Sequence, residues 1–299
     1  MKTFIFPLLL LFLISCGGEQ QNTETAETTT TEPTPQEEVA ASMPPVEESL
    51  PTETDNDPLG MYVGEFRARK YDHDKKPSFS NKITLSINRI DDKNVYGHSV
   101  VAGNIRPFEG SVTKVSDQVY EFAVKEPGDD RYDGAFNFSL NLARDIPLVG
   151  EWIANDSKLA VYEREYSLKK KAFAYQAELE MPEDVLYDGL YDTWTDDAEA
   201  ETLTNPAIEI NASTQVLQKE DVENLYKADL EFIRNAIYAR HGYSFKNRRV
   251  RYVFDNYVGW YMPVSTDIRD QLTDLEKDNI ALLKRYEEHA DTYYDSFGR

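Results

Sequence analysis

The chain of 299 residues contains a single cysteine, Cys16. One thiol excludes an intrachain disulfide, and at that position it leaves the folded part with no thiolate nucleophile and no Cys-ligated metal. Basic residues are scarce: 32 Lys and Arg against 54 Asp and Glu give a formal net charge of −22. That balance excludes an electrostatic grip on nucleic acid or on anionic lipid. From Gly17 to Asp57 there is no Lys, no Arg and no aromatic residue. After Ile14 no run is apolar and long enough to read as a membrane span. HExxH, P-loop and dinucleotide-binding fingerprints are all missing, so no cofactor is expected.

What is present begins with "MKTFIFPLLLLFLISC", a lysine, an apolar run from Phe4 to Ile14, a small residue and a cysteine. This reads as an export signal over residues 1–15, too short for a finished transmembrane helix. Leu13-Ile14-Ser15-Cys16 resembles the bacterial lipobox, in which the cysteine is lipidated and becomes the mature amino terminus. Each buried CH₂ of the acyl chains contributes about 0.8 kcal/mol, enough together to hold a protein on a membrane. Gly17 after the cysteine resembles the outer-membrane-sorted pattern, so the expected location is the cell envelope, lipid-anchored, at the outer membrane. Residues 16–57, rich in Thr, Glu and Pro, cannot bury enough apolar surface to offset their ordering entropy and read as a disordered acidic tether. Its expected reach is about 35 Å.

Residues 58–175 show period two. "KITLSINRI" (82–90), "QVYEFAV" (118–124) and "AFNFSLNL" (135–142) alternate apolar with polar residues between turn-forming sequences. About eight strands are expected, closed as an antiparallel barrel or sandwich. "YVGEF", "VYGHSVVAGNIRPFEG" and "LVGEW" resemble the small lipocalin-like barrels of exported lipoproteins. Residues 176–213 form an acidic connection holding "LYDGLYDTW", with Trp194 expected to dock on a neighbour. From Thr214 to the end, 214–299, the period becomes 3.6 and the chain reads as about four short helices. Leu230, Ile233 and Ile237 share one face, Gly242 supplies the left-handed stop, and Thr273-x-x-Glu276 forms a capping box. The fold class is therefore α+β multidomain.

"RNAIYARHGYSF", the pair Trp260-Tyr261 and "LTDLEKDNIALLKRYE" resemble the YARHG domain, named for the string at Tyr238–Gly242. The resemblance covers roughly residues 219–288 and implies an exported bacterial accessory module. It implies no reaction.

Arg240 and His241 end the long helix, where cations interact favourably with the macrodipole and its free carbonyls. The catalytic alternative makes His241 a general base and Arg240 an anion clamp, which needs a pocket and a second polar partner. The structural role is favoured, because no carboxylate or nucleophile is fixed nearby by motif. Arg234 or Arg240 could pair with Asp229, Glu231 or Asp255 to fix helix packing. Arg234, Arg240, His241, Trp260 and Tyr261 are the candidate binding residues, and Cys16 the lipidation site. Ser99, in an incomplete nucleophile elbow, reads as a strand residue. Asp72, His73 and Asp74 read as a solvated loop rather than a metal site. Asp129, Asp133 and Gly134 fit calcium-loop positions, but Arg131 and Leu140 stand where ligands belong, so a hairpin turn is preferred. Lys246, Arg248, Arg249 and Arg251 read as a solvated basic helix face that could meet an anionic glycan or acidic partner.

The leading expectation is a non-enzymatic, membrane-anchored binding lipoprotein, with an envelope protein or glycan as partner and no nucleic acid. The alternatives are a barrel enclosing a small apolar ligand and an envelope hydrolase using His241.

Overall fold

The computed structural model describes residues 57–183, 185 and 203–293. The export signal, Cys16, most of the tether and Trp194 lie outside the described residues.

Eight antiparallel strands close into a barrel in simple sequential order: β1 (Gly60–Tyr71), β2 (Ser80–Asp91), β3 (Asn94–Val101), β4 (Asn104–Lys114), β5 (Val119–Lys125), β6 (Gly134–Asn141), β7 (Leu148–Ala154) and β8 (Val161–Lys170). Closure is made by β1 against β8, with Gly64 opposite Leu168 and Phe66 opposite Tyr166. Alternation places Tyr62, Phe66, Ile83, Leu85, Phe122, Phe136, Phe138, Trp152, Tyr166 and Leu168 inside, all buried. Their rings fill the interior: Phe66 lies 5.7 Å from Trp152, and Phe122 stacks on Phe138 at 4.5 Å. An apolar ligand enclosed in the barrel therefore meets aromatic residues already packed on one another. The outer face carries exposed charge, including Arg69 paired with Glu151 and Lys70 with Glu163. Apolar inside and charged outside is the reverse of a membrane-spanning barrel. Among the described residues no helix is long and apolar enough to cross a membrane.

Among the described residues the second part holds five α-helices: α1 (Asn205–Glu209), α2 (Lys219–Val222), α3 (Lys227–Arg240), α4 (Arg248–Tyr257) and α5 (Asp274–Tyr293), with a 3-10 turn at Arg269–Gln271. Helical structure thus starts before Thr214, where the change of period places it. Five residues are too few to show a period, but Asp229 of α3, fully buried, accepts hydrogen bonds from the Thr204 amide and hydroxyl and ties α1 down. Phe232, Phe245, Phe254 and Tyr261 form the aromatic centre between helices. Asn247 caps α4 by accepting from the amides of Arg249 and Val250. Buried Asn279 of α5 accepts from Leu217 N–H and donates to the carbonyls of Ala212 and Gln215.

The helical part packs on the barrel through the basic cluster. Arg248 donates to the carbonyls of Lys76 and Pro77, and Arg251 Nε donates to Asn81 Oδ1. Arg249 pairs with Glu231. The expectation of a solvated face is met in part: Lys246 and Arg248 are exposed, but the arginines also bond to the barrel and to Glu231, because local charge carries no information about the carbonyls that α4 meets. Asp255 accepts from the Lys82 backbone N–H at 2.8 Å, and Lys82 Nζ donates to Val258 O. Burial pushes the Asp255 carboxyl up to about 7 against the opposing pull of that N–H, Arg251 and Lys82. Thr84 and Ser86, on the outer side of β2, are buried as well.

Candidate functional site

Residues 171–183 follow β8 without regular structure and run over the end of α3 as a strap. The YARHG string forms the surface beneath it. Ala239 lies in the helical core at 1% exposure, and His241 and Arg240 are each only 2% exposed. The amide of Gly242 bonds back to Ala239 O, and Gly242 has φ +71°, the left-handed stop expected from the sequence.

The imidazole of His241 faces a buried carboxylate. Its Nε2 lies 2.8 Å from Glu276 Oε2, and Glu276 is fully buried. The same oxygen accepts from the Thr273 amide and hydroxyl, so the capping-box glutamate of α5 is also the partner of His241. Tyr175 of the strap stacks on the imidazole, with centroids 4.1 Å apart and planes 17° apart, and its hydroxyl donates to Glu276 Oε1 at 3.0 Å. Burial raises the Glu276 carboxyl, but the bonds from His241 and Thr273 lower it further, and the net value is about 2. Glu276 is therefore ionised and accepts only, so His241 Nε2 carries the hydrogen. Burial beside Glu276 pushes Tyr175 up to about 12, which keeps its hydroxyl a donor.

Arg240 does not satisfy the carbonyls at its own helix end, as its position suggests. Its Nε and Nη2 donate to Leu179 O of the strap at 3.0 and 2.8 Å. Burial lowers its guanidinium to about 10, against the opposing pull of Tyr175 and Glu276, so it stays charged at neutral pH. Nη1 is buried with no hydrogen-bond partner among the described residues. Trp260 donates from Nε1 to Glu180 O, and its ring lies 6.0 Å from the Arg240 guanidinium. Tyr261 is in the core, donating to Tyr243 O. Arg234 makes a two-pronged pair with Glu287 of α5, not with Asp229, Glu231 or Asp255. Glu287 lies fifty-three residues away, beyond the reach of helical spacing.

Away from this brace, a cleft of about 510 Å³ opens between α3 and the segment leading into α5. Arg234, Tyr238, Tyr243, Lys246 and Arg269 are part of its lining.

The remaining candidates stand apart. Asp72 accepts from the Asp74 amide in an exposed turn, and His73 packs against Tyr71. Among the described residues no cluster of His, Asp and Glu could hold a metal ion. Asp133 braces the β5–β6 hairpin by accepting from the amides of Gly128 and Asp130 and pairing with Arg106, while Leu140 is core. Asp129 and Arg131 are exposed in that hairpin, and Gly134 opens β6. Ser99 is a buried residue of β3 that donates to Glu126 Oε1 at 3.1 Å. Glu126 also accepts from Gly134 N–H and the Trp152 indole. Sequence patterning gives no warning of this carboxylate, which sits just past a strand end.

Burial raises Glu126 to about 6 despite those donors and Arg106. A raised folded value favours the protonated form. Its stabilisation is complete below the ordinary value of 4.5 and is lost as pH rises through 6. Glu126→Gln keeps an acceptor oxygen for Gly134 N–H and the Trp152 indole while its NH2 donates to Ser99 Oγ, and it is expected to remove a fall of about 2 kcal/mol between these limits. Denaturant titrations of variant and wild type from pH 4 to 8 measure the difference.

Residues 206–288 match the YARHG domain family. That domain is typical of extracellular and cell-envelope proteins. No curated protein matches the chain. Among solved structures it is similar to a redesigned beta barrel, at 9% identity and a TM-score of 0.27, over 38% of this chain and 91% of that one.

Proposed function

We propose, for a chain whose residues 206–288 are a YARHG domain packed on a closed β-barrel, that it is a lipid-anchored cell-envelope protein whose helical domain binds an envelope protein or glycan. The anchor is Cys16, in the lipobox-like Leu13-Ile14-Ser15-Cys16, and the tether that follows carries the folded part away from an outer membrane. The reading rests on one observation about polarity. Arg240 and His241 are turned inward on Leu179 and Glu276, whereas the neighbouring cleft offers the rings of Tyr238 and Tyr243 beside Lys246 and Arg269. Rings beside a lysine and beside the Arg269–Asp267 ion pair suit contact with a sugar face or with a polar segment. A general base with no open face does not suit hydrolysis.

The test is capture of partners by the full-length lipoprotein in envelope membranes, using cross-linking, for wild type and Tyr238→Ala. Loss of a specific cross-linked species in the variant, at unchanged melting temperature, supports the reading. Substrate turnover that His241→Ala abolishes at unchanged melting temperature sinks it. Growth with radiolabelled fatty acid checks the anchor, since Cys16→Ala should lose the label.

A further inference from the structure

The strap is held in an unusual way. After Lys171 N–H bonds to Met61 O, alongside β1, no backbone-to-backbone bond holds residues 172–183 among the described residues. Side chains of the helical domain take hold of its carbonyls instead. Asn211 Nδ2 donates to Ala177 O at 2.8 Å, Arg240 donates twice to Leu179 O, and Trp260 Nε1 donates to Glu180 O at 2.8 Å. Carbonyls are common to every residue, so these contacts recognise the path of the backbone, which turns at Ala177-Glu178, rather than a sequence. Selectivity comes from one place, the surface where the Tyr175 ring stacks on His241 and its hydroxyl reaches Glu276. Gly242 keeps that surface open, since a Cβ there would run into Phe173 and Val264.

Two further observations separate this arrangement from ordinary core packing. Tyr175 remains 38% exposed, although His241 and Glu276 beneath it are buried, so the aromatic lies on the surface of the helical domain rather than within its core. The floor also has a buried polar group that the strap leaves without a partner: Arg240 Nη1 has none among the described residues.

We propose that Asn211, Arg240, His241, Gly242, Trp260 and Glu276 form a peptide-recognition socket. Its ligand is a non-helical segment with an aromatic residue, a turn at the second and third positions beyond it, and carbonyls presented at the second, fourth and fifth positions. The strap is the resident occupant, and a segment of the same pattern from another protein competes with it. The inference rests on the reading of the helical domain as a binding unit and assigns that unit a second, self-occupied site apart from the cleft. A segment joined to the barrel has a high effective concentration, so the socket stays closed until the strap is weakened or outcompeted.

The probe is a fluorescein-labelled peptide with the sequence of residues 170–182, followed by polarisation on the full chain. Tyr175→Ala, which removes the exposed anchor, is expected to bind it saturably and at least tenfold more tightly than wild type. The same peptide with alanine in place of its tyrosine should not bind. A folded Tyr175→Ala chain that binds no better than wild type, or binds both peptides alike, overturns the proposal. Should Tyr175→Ala fail to fold, Tyr175→Leu is read in its place with the same two outcomes. Tyr238→Ala should leave peptide binding unchanged, which separates failure of the socket from failure of the cleft.

Discussion

Glu276→Ala is expected to destabilise the protein by about 3–5 kcal/mol, the range for deleting one member of a buried, hydrogen-bonded charged network. Four donors converge on this carboxylate: the His241 imidazole, the Tyr175 hydroxyl, and the amide and hydroxyl of Thr273. Alanine leaves the buried imidazole without its carboxylate partner and removes the glutamate half of the α5 capping box, although the Thr273 hydroxyl still accepts from the amide of residue 276. Glu276→Gln keeps one acceptor oxygen for Oε1 or Oε2 partners but not both, so its cost should be smaller. Urea denaturation followed by far-UV circular dichroism measures both. In a double-mutant cycle with His241→Ala, the combined loss should fall short of the summed single losses, because the two residues share one bond. The pH dependence has a definite sign. The folded value of about 2 lies below the ordinary 4.5, so the contribution is fully present above 4.5 and is lost as pH falls through 2. Glu276→Gln should flatten the acid limb in that window. This is opposite in direction to Glu126, whose carboxylate weakens the fold as pH rises.

Gly242→Ala is expected to cost about 2–5 kcal/mol, from two sources that add. The left-handed backbone at φ +71° disfavours any Cβ by about 1–2 kcal/mol. The new methyl also points into Val264 and the Phe173 ring, and overpacking typically costs about 1–3 kcal/mol. Gly259→Ala is the control, since nothing lies within 4 Å of a Cβ built there. Thermal unfolding should show a marked fall for the first variant and almost none for the second. Hydrogen exchange should locate the damage, with faster exchange in residues 172–180 for Gly242→Ala.

Much of the architecture is legible along the chain because it is local. Period-two runs such as "KITLSINRI" become β2, and the change to period 3.6 announces α3, α4 and α5. The choice between barrel and sandwich is not local. It depends on β1 meeting β8, and no short motif encodes a pairing such as Gly64 with Leu168. The site divides in the same way. Gly242 and the Thr273–Glu276 capping box are readable from spacing. That the capping glutamate also meets His241 is not, because the two lie thirty-five residues apart and only the packing of α5 against α3 joins them. The basic run Lys246 to Arg251 misleads for a related reason. Its charge is evident, but its three arginines are engaged by carbonyls, a side-chain amide and Glu231, and carbonyls leave no mark on composition.

The position of the helical domain also has a kinetic consequence. The seam strand β1 is flanked by β2 and β8. The domain holds β2 from outside through Asp255 on Lys82, and it holds the continuation of β8 through the strap. To peel β1 away, both flanking strands must loosen, and the helical domain must first release its grip on them. Contacts that form after the barrel closes do little to the rate of folding but raise the barrier to opening. The helical domain is thus expected to act as a latch, so that Asp255→Ala should raise the unfolding rate more than it changes the folding rate in stopped-flow denaturant jumps.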